Sequence, residues 1–269
     1  MIFTESEREH LHRGRYLSFT FRIIFRLPLC IKKLLFHGRR RYCVVCERYS
    51  RTFLPFGDVL RRNARCPFCG SLERHRFTWL FVHRFSLIAR ETRLLHIAPE
   101  RCLVSRFSRD LMADRYVCGD SDTSRAEFQL DLCKLPFASA TFDGVICNHV
   151  LEHVESDILA LSEIQRVLSA NGWGIIQVPL SGEKTTKEDN TITTKEGRET
   201  AFGQYDHRRR YGRDIVERIR AAKLDVNPMM PGCIARHDEH ERLGLSGGDV
   251  IFFVRPSPRA ATCSQSRGE

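Results

Sequence analysis

Residues 135–154, which read LPFASATFDGVICNHVLEHV, decide the fold of this chain. The apolar run 144–148 has the composition of a buried strand, and polar residues follow it directly. The pattern then predicts a helix over 156–168 and a second apolar strand over 173–179. A strand, a helix and a strand in this order predict two parallel strands joined by a crossover.

The same alternation continues on both sides of this stretch. Further strands are predicted at 93–98, 115–119, 128–132, 224–226 and 250–255, with helices over 100–111 and 212–222. We therefore expect an α/β domain over residues 93–256, with a mainly parallel seven-stranded sheet covered on both faces. Ligands of open α/β sheets bind at the edge where the strand-to-helix turns gather.

Composition excludes a disordered or fibrous chain, because 42% of the 269 residues are hydrophobic and 28% are charged. The charge is uneven. Residues 1–93 hold 20 Lys and Arg against 7 Asp and Glu, a net charge of +13, whereas the remaining residues carry −3. The front of the chain is therefore a candidate for binding an anion, such as nucleic acid, a membrane surface or an acidic glycan.

Two CxxC pairs predict a structural zinc site. The pairs are Cys43 with Cys46 and, after nineteen residues, Cys66 with Cys69. Two short loops that each aim two thiolates at one point form the tetrahedral site of a zinc ribbon, and four protein ligands leave no position for a reactive water. Four unrelated buried cysteines or a redox CxxC are the weaker alternatives.

The chain divides into five segments by composition: a basic amphipathic segment 1–38, the zinc ribbon 39–70, a connecting helix 71–92, the α/β domain 93–256 and a flexible tail 257–269. The first segment is interpreted as helices that pack on a neighbouring domain. A peripheral contact of 16–37 with anionic lipid and a surface facing RNA stay open as alternatives. Four charges and a proline within 17–36 exclude a membrane-spanning helix.

The remaining cysteines are scattered singly through apolar segments, and the N-terminus lacks the pattern of a secretory leader. Both features predict a reducing compartment. We therefore expect a cytoplasmic protein, with the inner membrane face as the alternative location.

Polar residues follow the predicted strands at the ligand edge. Asp120 ends the second strand and is placed to accept hydrogen bonds from a ribose diol, with Asp122 as its competitor and a helix cap or turn as the structural alternative. Asn148, His149, Glu152 and His153 follow the fourth strand. These residues mark the edge as the candidate site.

The stretch 135–179, with its LPF…FD, LEH and RVL signatures and Gly172-Trp173, resembles the class I S-adenosylmethionine-dependent methyltransferases of type 11. The resemblance covers roughly residues 93–256 and implies a Rossmann-like fold. More narrowly, LLHIAPE, CNHVLEH and FGQYDHRRRYG behind a CPFCGSLERHR ribbon are similar to a bacterial subgroup that couples a zinc ribbon to this domain.

The resemblance implies a binding site for S-adenosylmethionine. The methionine end of the cofactor would lie at the loop after the first strand, and the ribose at the acidic residue after the second. The adenine would lie beside the Asp-Leu pair after the third strand, and the sulfonium at the loop after the fourth. The residues that match these positions are His96, Ala98, Pro99 and Glu100, then Asp120, then Asp131 and Leu132, then Asn148 and His149.

The first of these loops departs from the family pattern. Family members carry glycines there, so that the backbone can approach the cofactor closely, whereas this chain has Ala98-Pro99-Glu100. Pro99 suits a first helical position, and Glu100 could accept a hydrogen bond from the ammonium group of the cofactor.

A general base is expected from the long insertion 180–211. A connection of this length at the ligand edge indicates a lid or an acceptor loop. His207 with Asp206 is the candidate base, the following Arg208–Arg210 a candidate anion clamp, and His149 a further catalytic candidate. A solvated charge run with structural histidines is the alternative.

Three functions stay open. The leading one is methyl transfer to oxygen or nitrogen of a small molecule or glycan. The second is methylation of rRNA or tRNA bound by the basic ribbon. The third is a non-catalytic zinc-ribbon adaptor built on a methyltransferase scaffold.

Overall fold

The computed structural model describes residues 24–57, 60–122 and 128–258. Predictions for the first 23 residues and for the tail beyond residue 258 lie outside this part of the chain. The helices are α1 Leu29–Leu35, α2 Glu73–Arg84, α3 Arg101–Asp110, α4 Asp157–Val167, α5 Lys195–Phe202, α6 Ile215–Ala221 and α7 His237–Leu243.

The strands fall into one large sheet and three hairpin-like pairs. They are β1 Arg41–Cys43, β2 Arg48–Ser50, β3 Leu54–Phe56, β4 Arg61–Arg65, β5 Leu94–Ile97, β6 Tyr116–Asp120, β7 Phe128–Gln129, β8 Phe142–Asn148, β9 Leu168–Gln177, β10 Lys187–Glu188, β11 Arg209–Arg210, β12 Leu224–Met229 and β13 Ile251–Pro256.

Contacts within the chain define two compact units, of which the larger contains, among the described residues, 89–99, 111–122, 128–229 and 250–258. It holds a seven-stranded sheet in the order β12-β13-β9-β8-β5-β6-β7. β13 runs antiparallel to both its neighbours, and the strands from β9 to β7 pair in parallel. The predicted seven-stranded, mainly parallel sheet of a Rossmann-like fold is confirmed.

The central strand β8 shows why this sheet forms. Val145, Ile146 and Cys147 are fully buried, as expected for a strand of a parallel sheet with both faces covered. Leu161 and Ile164 of α4 are fully buried in the same core. Ser156 starts α4 by accepting a hydrogen bond from the Leu159 amide, the usual capping role of serine.

Within the described residues, the smaller unit contains residues 24–57, 60–88, 100–110 and 230–249. It combines the hairpins β1–β2 and β3–β4 with α1, α2, α3 and α7. At its centre lies Arg76, which is fully buried and whose guanidinium lies 4.5 Å from the Phe53 ring. The guanidinium donates hydrogen bonds to the carbonyl oxygens of Ala64, Ser71, Leu243 and Gly244.

Three predicted elements differ from the structure. The connecting helix expected over 71–92 spans Glu73–Arg84, because Ser86 adopts a left-handed backbone and the Leu87 amide turns back to Val82. Strand β9 begins at Leu168, five residues before the predicted start. The helix expected after the first strand forms as α3, but it belongs to the compact unit of the ribbon.

The five predicted segments are each continuous in sequence, whereas the two compact units are discontinuous along the chain. The segment boundaries therefore stay a prediction. Within residues 24–57, 60–122 and 128–258, no helix is both long enough and apolar enough to cross a membrane.

Candidate functional site

The four cysteines of the CxxC pairs converge on one point. Their Sγ atoms all lie within 4.8 Å of one another, with Cys43 and Cys69 3.6 Å apart and Cys46 and Cys66 3.8 Å apart. A tetrahedral zinc ion with Zn–S bonds of about 2.3 Å places sulfur atoms about 3.8 Å apart, whereas a disulfide needs about 2.05 Å. The arrangement therefore fits a zinc ion and not a disulfide pair.

Local backbone geometry produces this convergence. Glu47 takes a left-handed backbone with φ of 56°, and its amide donates to the Cys43 carbonyl. Gly70 has φ of 77°, and its amide donates to the Cys66 carbonyl. Each CxxC pair is thus followed by a tight turn that folds the chain back and directs two sulfur atoms to the same side.

The four thiols of this centre differ in acidity, because hydrogen bonds among them lower the pKa of Cys43 and Cys69, whereas hydrogen bonds and burial raise the pKa of Cys46 and Cys66. Hydrogen bonds from Cys46 and the other two thiols hold the pKa of Cys43 well below its usual range. Burial lowers the pKa of the nearby Arg76 guanidinium, and the charge of Cys43 raises it again. Four thiolates around Zn²⁺ carry a net charge of about −2, which the buried arginine offsets in part.

At the carboxyl edge of the large sheet, two non-glycine residues adopt left-handed backbones. Ala98 follows β5 with φ of 48°, and His149 follows β8 with φ of 53°. The Ala98 amide donates to Gly119, and the His149 amide donates to Gln177. Such conformations are uncommon outside glycine and concentrate at ligand-binding turns. The first loop therefore makes a sharp turn although it contains no glycine.

Asp120 lies at the same edge, at the end of β6, and is 9% exposed. Its Oδ1 accepts hydrogen bonds from the Ser121 hydroxyl and the Asp122 amide. The carboxylate is thus held in a defined orientation by its own turn. Asp120 therefore keeps its candidate role toward a ribose, and the Asp122 amide supports it.

Two cofactor candidates lie differently from the expectation. The His96 side chain is fully buried, and its Nδ1 lies 2.9 Å from the Tyr116 hydroxyl, which ties the side chain into the sheet. The Glu100 carboxylate belongs to the smaller unit, where it lies 3.6 Å from Nε2 of His75. Both side chains have protein partners that the sequence did not suggest.

The remaining cofactor candidates are divided between core and surface. Leu132 is buried in the hydrophobic core and Asn148 is buried at the end of β8. Asp131 is exposed, and its Oδ1 accepts a hydrogen bond from the Cys133 amide. Pro99 lies in the loop between Ala98 and the start of α3 at Arg101, so the expectation that it takes the first helical position is wrong.

A histidine cluster forms beside the loop after β8. Glu152, His153 and His207 each place a nitrogen or carboxylate oxygen within 4.8 Å of the others, and we call these three residues the histidine cluster. The rings of His153 and His207 meet edge to face with centroids 4.8 Å apart. His149 Nδ1 lies 3.3 Å from Oε1 of Glu152. The structure thus brings residues after β8 together with the insertion, as the candidate site requires.

The pairing inside this region corrects one expectation. The Asp206 carboxylate lies 3.4 Å from Nδ1 of His153, whereas Nδ1 of His207 lies 3.3 Å from the Phe202 carbonyl. Asp206 therefore orients His153 and not His207, because the turn between residues 206 and 207 directs the two side chains to different partners. Burial lowers the pKa of His207, which keeps its imidazole neutral near pH 7.

The arginine run does not provide the expected anion clamp at its central residue. Arg209 is fully buried and donates hydrogen bonds to the carbonyls of Leu151, Val154 and Glu155 and to the Glu188 carboxylate. Its guanidinium is committed to the turn that carries Glu152 and His153, so it positions that turn instead of binding a ligand.

Sequence reasoning missed the partners that hold the insertion. Tyr211 is fully buried, and its hydroxyl donates to Asp157 at the start of α4. Arg218 forms two hydrogen bonds of 2.6 Å with the same carboxylate and a third with Glu188. The positions of Glu188 and Arg209 opposite each other in β10 and β11 could have been found only from the strand pairing.

Comparisons with known proteins agree with this architecture. A family model described as a methyltransferase domain matches residues 110–176. No curated protein sequence matches the chain. Among solved structures, the [4+2]-cyclase SpnF is similar at 16% identity, over 68% of this chain and 82% of that one, with a TM-score of 0.48.

Two further structures are similar at the level of the fold. The 1,6-didemethyltoxoflavin-N1-methyltransferase of Burkholderia thailandensis, with bound 1,6-didemethyltoxoflavin and S-adenosylhomocysteine, is 17% identical over 67% of this chain and 76% of that one, with a TM-score of 0.44. A complex of Haloferax volcanii Trm112 with a methyltransferase matches at 14% identity, over 67% and 90%, with a TM-score of 0.45.

The strand order, with its single antiparallel β13 between β12 and β9, is that of a Rossmann-like methyltransferase fold, and residues 110–176 of this sheet are similar to methyltransferase domains.

Proposed function

We propose that this protein is an S-adenosylmethionine-dependent methyltransferase. It transfers the methyl group to an oxygen or nitrogen atom of a small molecule or glycan. The observation that carries the proposal is the histidine cluster beside the loop after β8. Transfer from a sulfonium needs little more than positioning, but an acceptor that sheds a proton also needs a base. A neutral His207, with the carboxylate of Glu152 within reach, supplies such a base.

The cofactor would lie along the carboxyl edge of β5, β6 and β8. The left-handed turn at Ala98 lets backbone approach the methionine end, and Asp120 accepts hydrogen bonds from the ribose hydroxyls. Asn148 and His149 would face the sulfonium, which brings the methyl group toward the cluster. The fit of the cofactor rests on these residues of one compact unit.

Titration calorimetry with S-adenosylmethionine and S-adenosylhomocysteine tests this assignment. Asp120→Asn should weaken the binding of both ligands by about 1–3 kcal/mol, roughly ten- to a hundredfold, because hydrogen bonds to a charged acceptor are lost. Asp143→Asn is the matched control, since that carboxylate pairs with Arg93 at the opposite end of β8.

The outcomes separate the open functions. Unchanged affinity in Asp120→Asn would remove this residue from the site. A wild-type chain that binds neither ligand while the ribbon stays folded would support the adaptor instead. RNA methylation remains the alternative acceptor class, and it requires RNA binding that falls steeply with added salt.

The proposal includes a structural zinc ion and a cytoplasmic location. Sulfur spacings that match a ZnS4 tetrahedron support the metal. None of the ten cysteines in the described part of the chain forms a disulfide, which supports a reducing compartment. Exposed Leu29, Ile31, Leu34 and Leu35 on α1 support a peripheral contact of 16–37 with the inner membrane face.

A further inference from the structure

A buried carboxylate oxygen in the histidine cluster has no hydrogen-bond partner. Glu152 is 1% exposed, and its Oε1 lies 3.3 Å from His149, but its Oε2 makes no hydrogen bond. An unsatisfied acceptor at such depth is costly, and it is rare in native proteins unless a water or an ion completes it. The orphaned oxygen therefore points to a missing ligand.

The two imidazoles beside it are oriented in the way that metal ligands are. Nδ1 of His207 faces the Phe202 carbonyl, and Nδ1 of His153 faces the carbonyl and the carboxylate of Asp206. Each Nδ1 faces only acceptors, so it carries the proton. Nε2 of each ring is then left with its lone pair. Histidines that bind metals show this second-shell arrangement.

We propose that Glu152, His153 and His207 bind a divalent first-row transition-metal cation. The ligands would be one carboxylate oxygen and the Nε2 atom of each imidazole, and one potential ligand atom of each of the three residues already lies within 4.8 Å of those of the others. A donor set of two imidazoles and a carboxylate suits zinc and iron(II) better than magnesium or calcium. This site is distinct from the four cysteines, and it lies wholly within the larger unit.

The surrounding residues orient the three ligand side chains and leave their ligand atoms available. Arg209 fixes the turn from 151 to 155 through three carbonyl oxygens. Nδ1 of His149 lies 3.3 Å from Oε1 of Glu152, a contact that orients the carboxylate and leaves Oε2 for the cation. Such second-shell contacts maintain ligand orientation before the metal binds.

The role of this cation rests on the proposed function: with Nε2 of His207 bound to the metal, this histidine is no longer the base, and the cation takes its place in promoting loss of the acceptor proton. Three protein ligands leave coordination positions open, as in catalytic sites. An acceptor hydroxyl bound there would lose its proton to solvent more readily. Its oxygen would then form the bond to the methyl carbon, while the carbon–sulfur bond of S-adenosylmethionine breaks and its electron pair stays on the sulfur of S-adenosylhomocysteine. The inference therefore favours a hydroxyl acceptor.

The test measures zinc bound to the full chain by equilibrium dialysis and elemental analysis. The wild-type chain should bind two equivalents of Zn²⁺, one at the cysteines and one at the cluster. Glu152→Gln and His207→Gln should each bind one. His240→Gln is the matched control, because this partly buried histidine of α7 lies outside the cluster, and it should retain two.

Thermal unfolding with and without added zinc guards against misfolded variants. The melting temperature of the wild-type chain should rise with Zn²⁺ beyond one equivalent, and that rise should be absent in both cluster variants. One equivalent in the wild-type chain, or two in both cluster variants, overturns the inference. Titration of the same samples with S-adenosylmethionine tests the proposed function separately, since a chain can bind the cofactor with one zinc or hold two zinc ions without binding it.

Discussion

At the scale of single residues, the left-handed backbone of Ala98 destabilises the folded chain locally. The first cofactor loop nevertheless holds Ala98 in this conformation. An L-residue in this conformation is less stable than glycine by about 1 kcal/mol, because its Cβ approaches the neighbouring carbonyl. Ala98 and His149 take this conformation at adjacent strand ends. Strain that recurs at one edge of a sheet indicates a binding edge.

Ala98→Gly should therefore stabilise the folded chain by roughly 0.5–1 kcal/mol, because glycine adopts φ of 48° without strain. Urea unfolding followed by circular dichroism measures the change. Ala160→Gly, in the buried middle of α4, is the control and should lose about 1 kcal/mol or more. A loss of stability in both variants would contradict the strain argument.

The side-chain contacts of the histidine region also show what could not be predicted from the sequence. The sequence marked His149, Asp206 and His207 as candidates, and the structure places all three in one region. The sequence did not reveal that Asp206 contacts His153. Residues adjacent in the chain, such as Asp206 and His207, need not contact the same side chain in the fold. Side-chain direction in an irregular loop depends on backbone angles that no periodicity encodes.

At the scale of elements, an ion pair joins α4 to α6 beneath the insertion. Burial is the largest single influence and would raise the pKa of Asp157, but the hydrogen bonds and the charge of Arg218, with the other groups around the carboxylate, together lower it. The Tyr211 hydroxyl and the charge of Arg209 act on the same carboxylate. The folded-state pKa lies below that of the unfolded chain, so the pair stabilises the fold above about pH 4 and less as pH falls further.

Asp157→Asn should destabilise the chain by about 3 kcal/mol at pH 7, because the variant leaves Arg218 without its buried partner. The difference from the wild-type chain should shrink toward pH 3, where the wild-type carboxylate also becomes protonated. Urea unfolding across this pH range measures both effects. Asp143→Asn, whose pair with Arg93 is exposed, should lose at most about 1 kcal/mol. If the difference in unfolding free energy between the wild-type chain and Asp157→Asn does not change with pH, the carboxylate of Asp157 is not the ionised partner of Arg218.

Element boundaries were predictable only where a strong local signal exists. Strand β8 and helix α4 follow the expected ranges, because an apolar run and a serine cap mark them. The helix after the ribbon ends at Arg84 instead of residue 92, although its apolar residues keep helical spacing. Ser86 ends it with a left-handed turn, and serine gives no such signal in a sequence.

At the scale of the whole molecule, the ribbon shares one compact unit with α3 and α7. Arg41 of β1 pairs with Glu241 of α7, and Arg106 of α3 pairs with Glu47 of the first zinc turn. Trp79 of α2 packs against Phe107 of α3 with ring centroids 5.2 Å apart. A zinc ion at the four cysteines would therefore stabilise more of the chain than the ribbon itself.

Zinc removal should expose this whole unit. A strong zinc chelator should raise hydrogen exchange in residues 39–88, 100–110 and 237–243 together, because folding of small zinc sites is coupled to the metal. Strands β8 and β9 should keep their protection. Mass spectrometry of exchanged peptides measures both, and a calcium-selective chelator is the control. Exchange confined to residues 39–70 would show that the ribbon opens alone.

The overall architecture was the most predictable level. Alternating apolar strands and helices specify a parallel sheet almost without regard to side-chain detail, and two CxxC pairs specify a metal site. The membership of α3 in the smaller unit could not be predicted, since Leu103 and Phe107 look like any apolar helix face. Which surface such a face covers depends on contacts distant in sequence.

The interleaved path of the chain has a practical and evolutionary consequence. The polypeptide passes between the compact units after residues 88, 99, 110, 229 and 249. A fragment cut at residue 93 would keep α3 but discard Trp79, leaving Phe107 without its aromatic neighbour. The smaller unit, which carries the four cysteines, therefore cannot be removed as one continuous segment. Gain or loss of it during evolution would require simultaneous changes at three separate places in the gene.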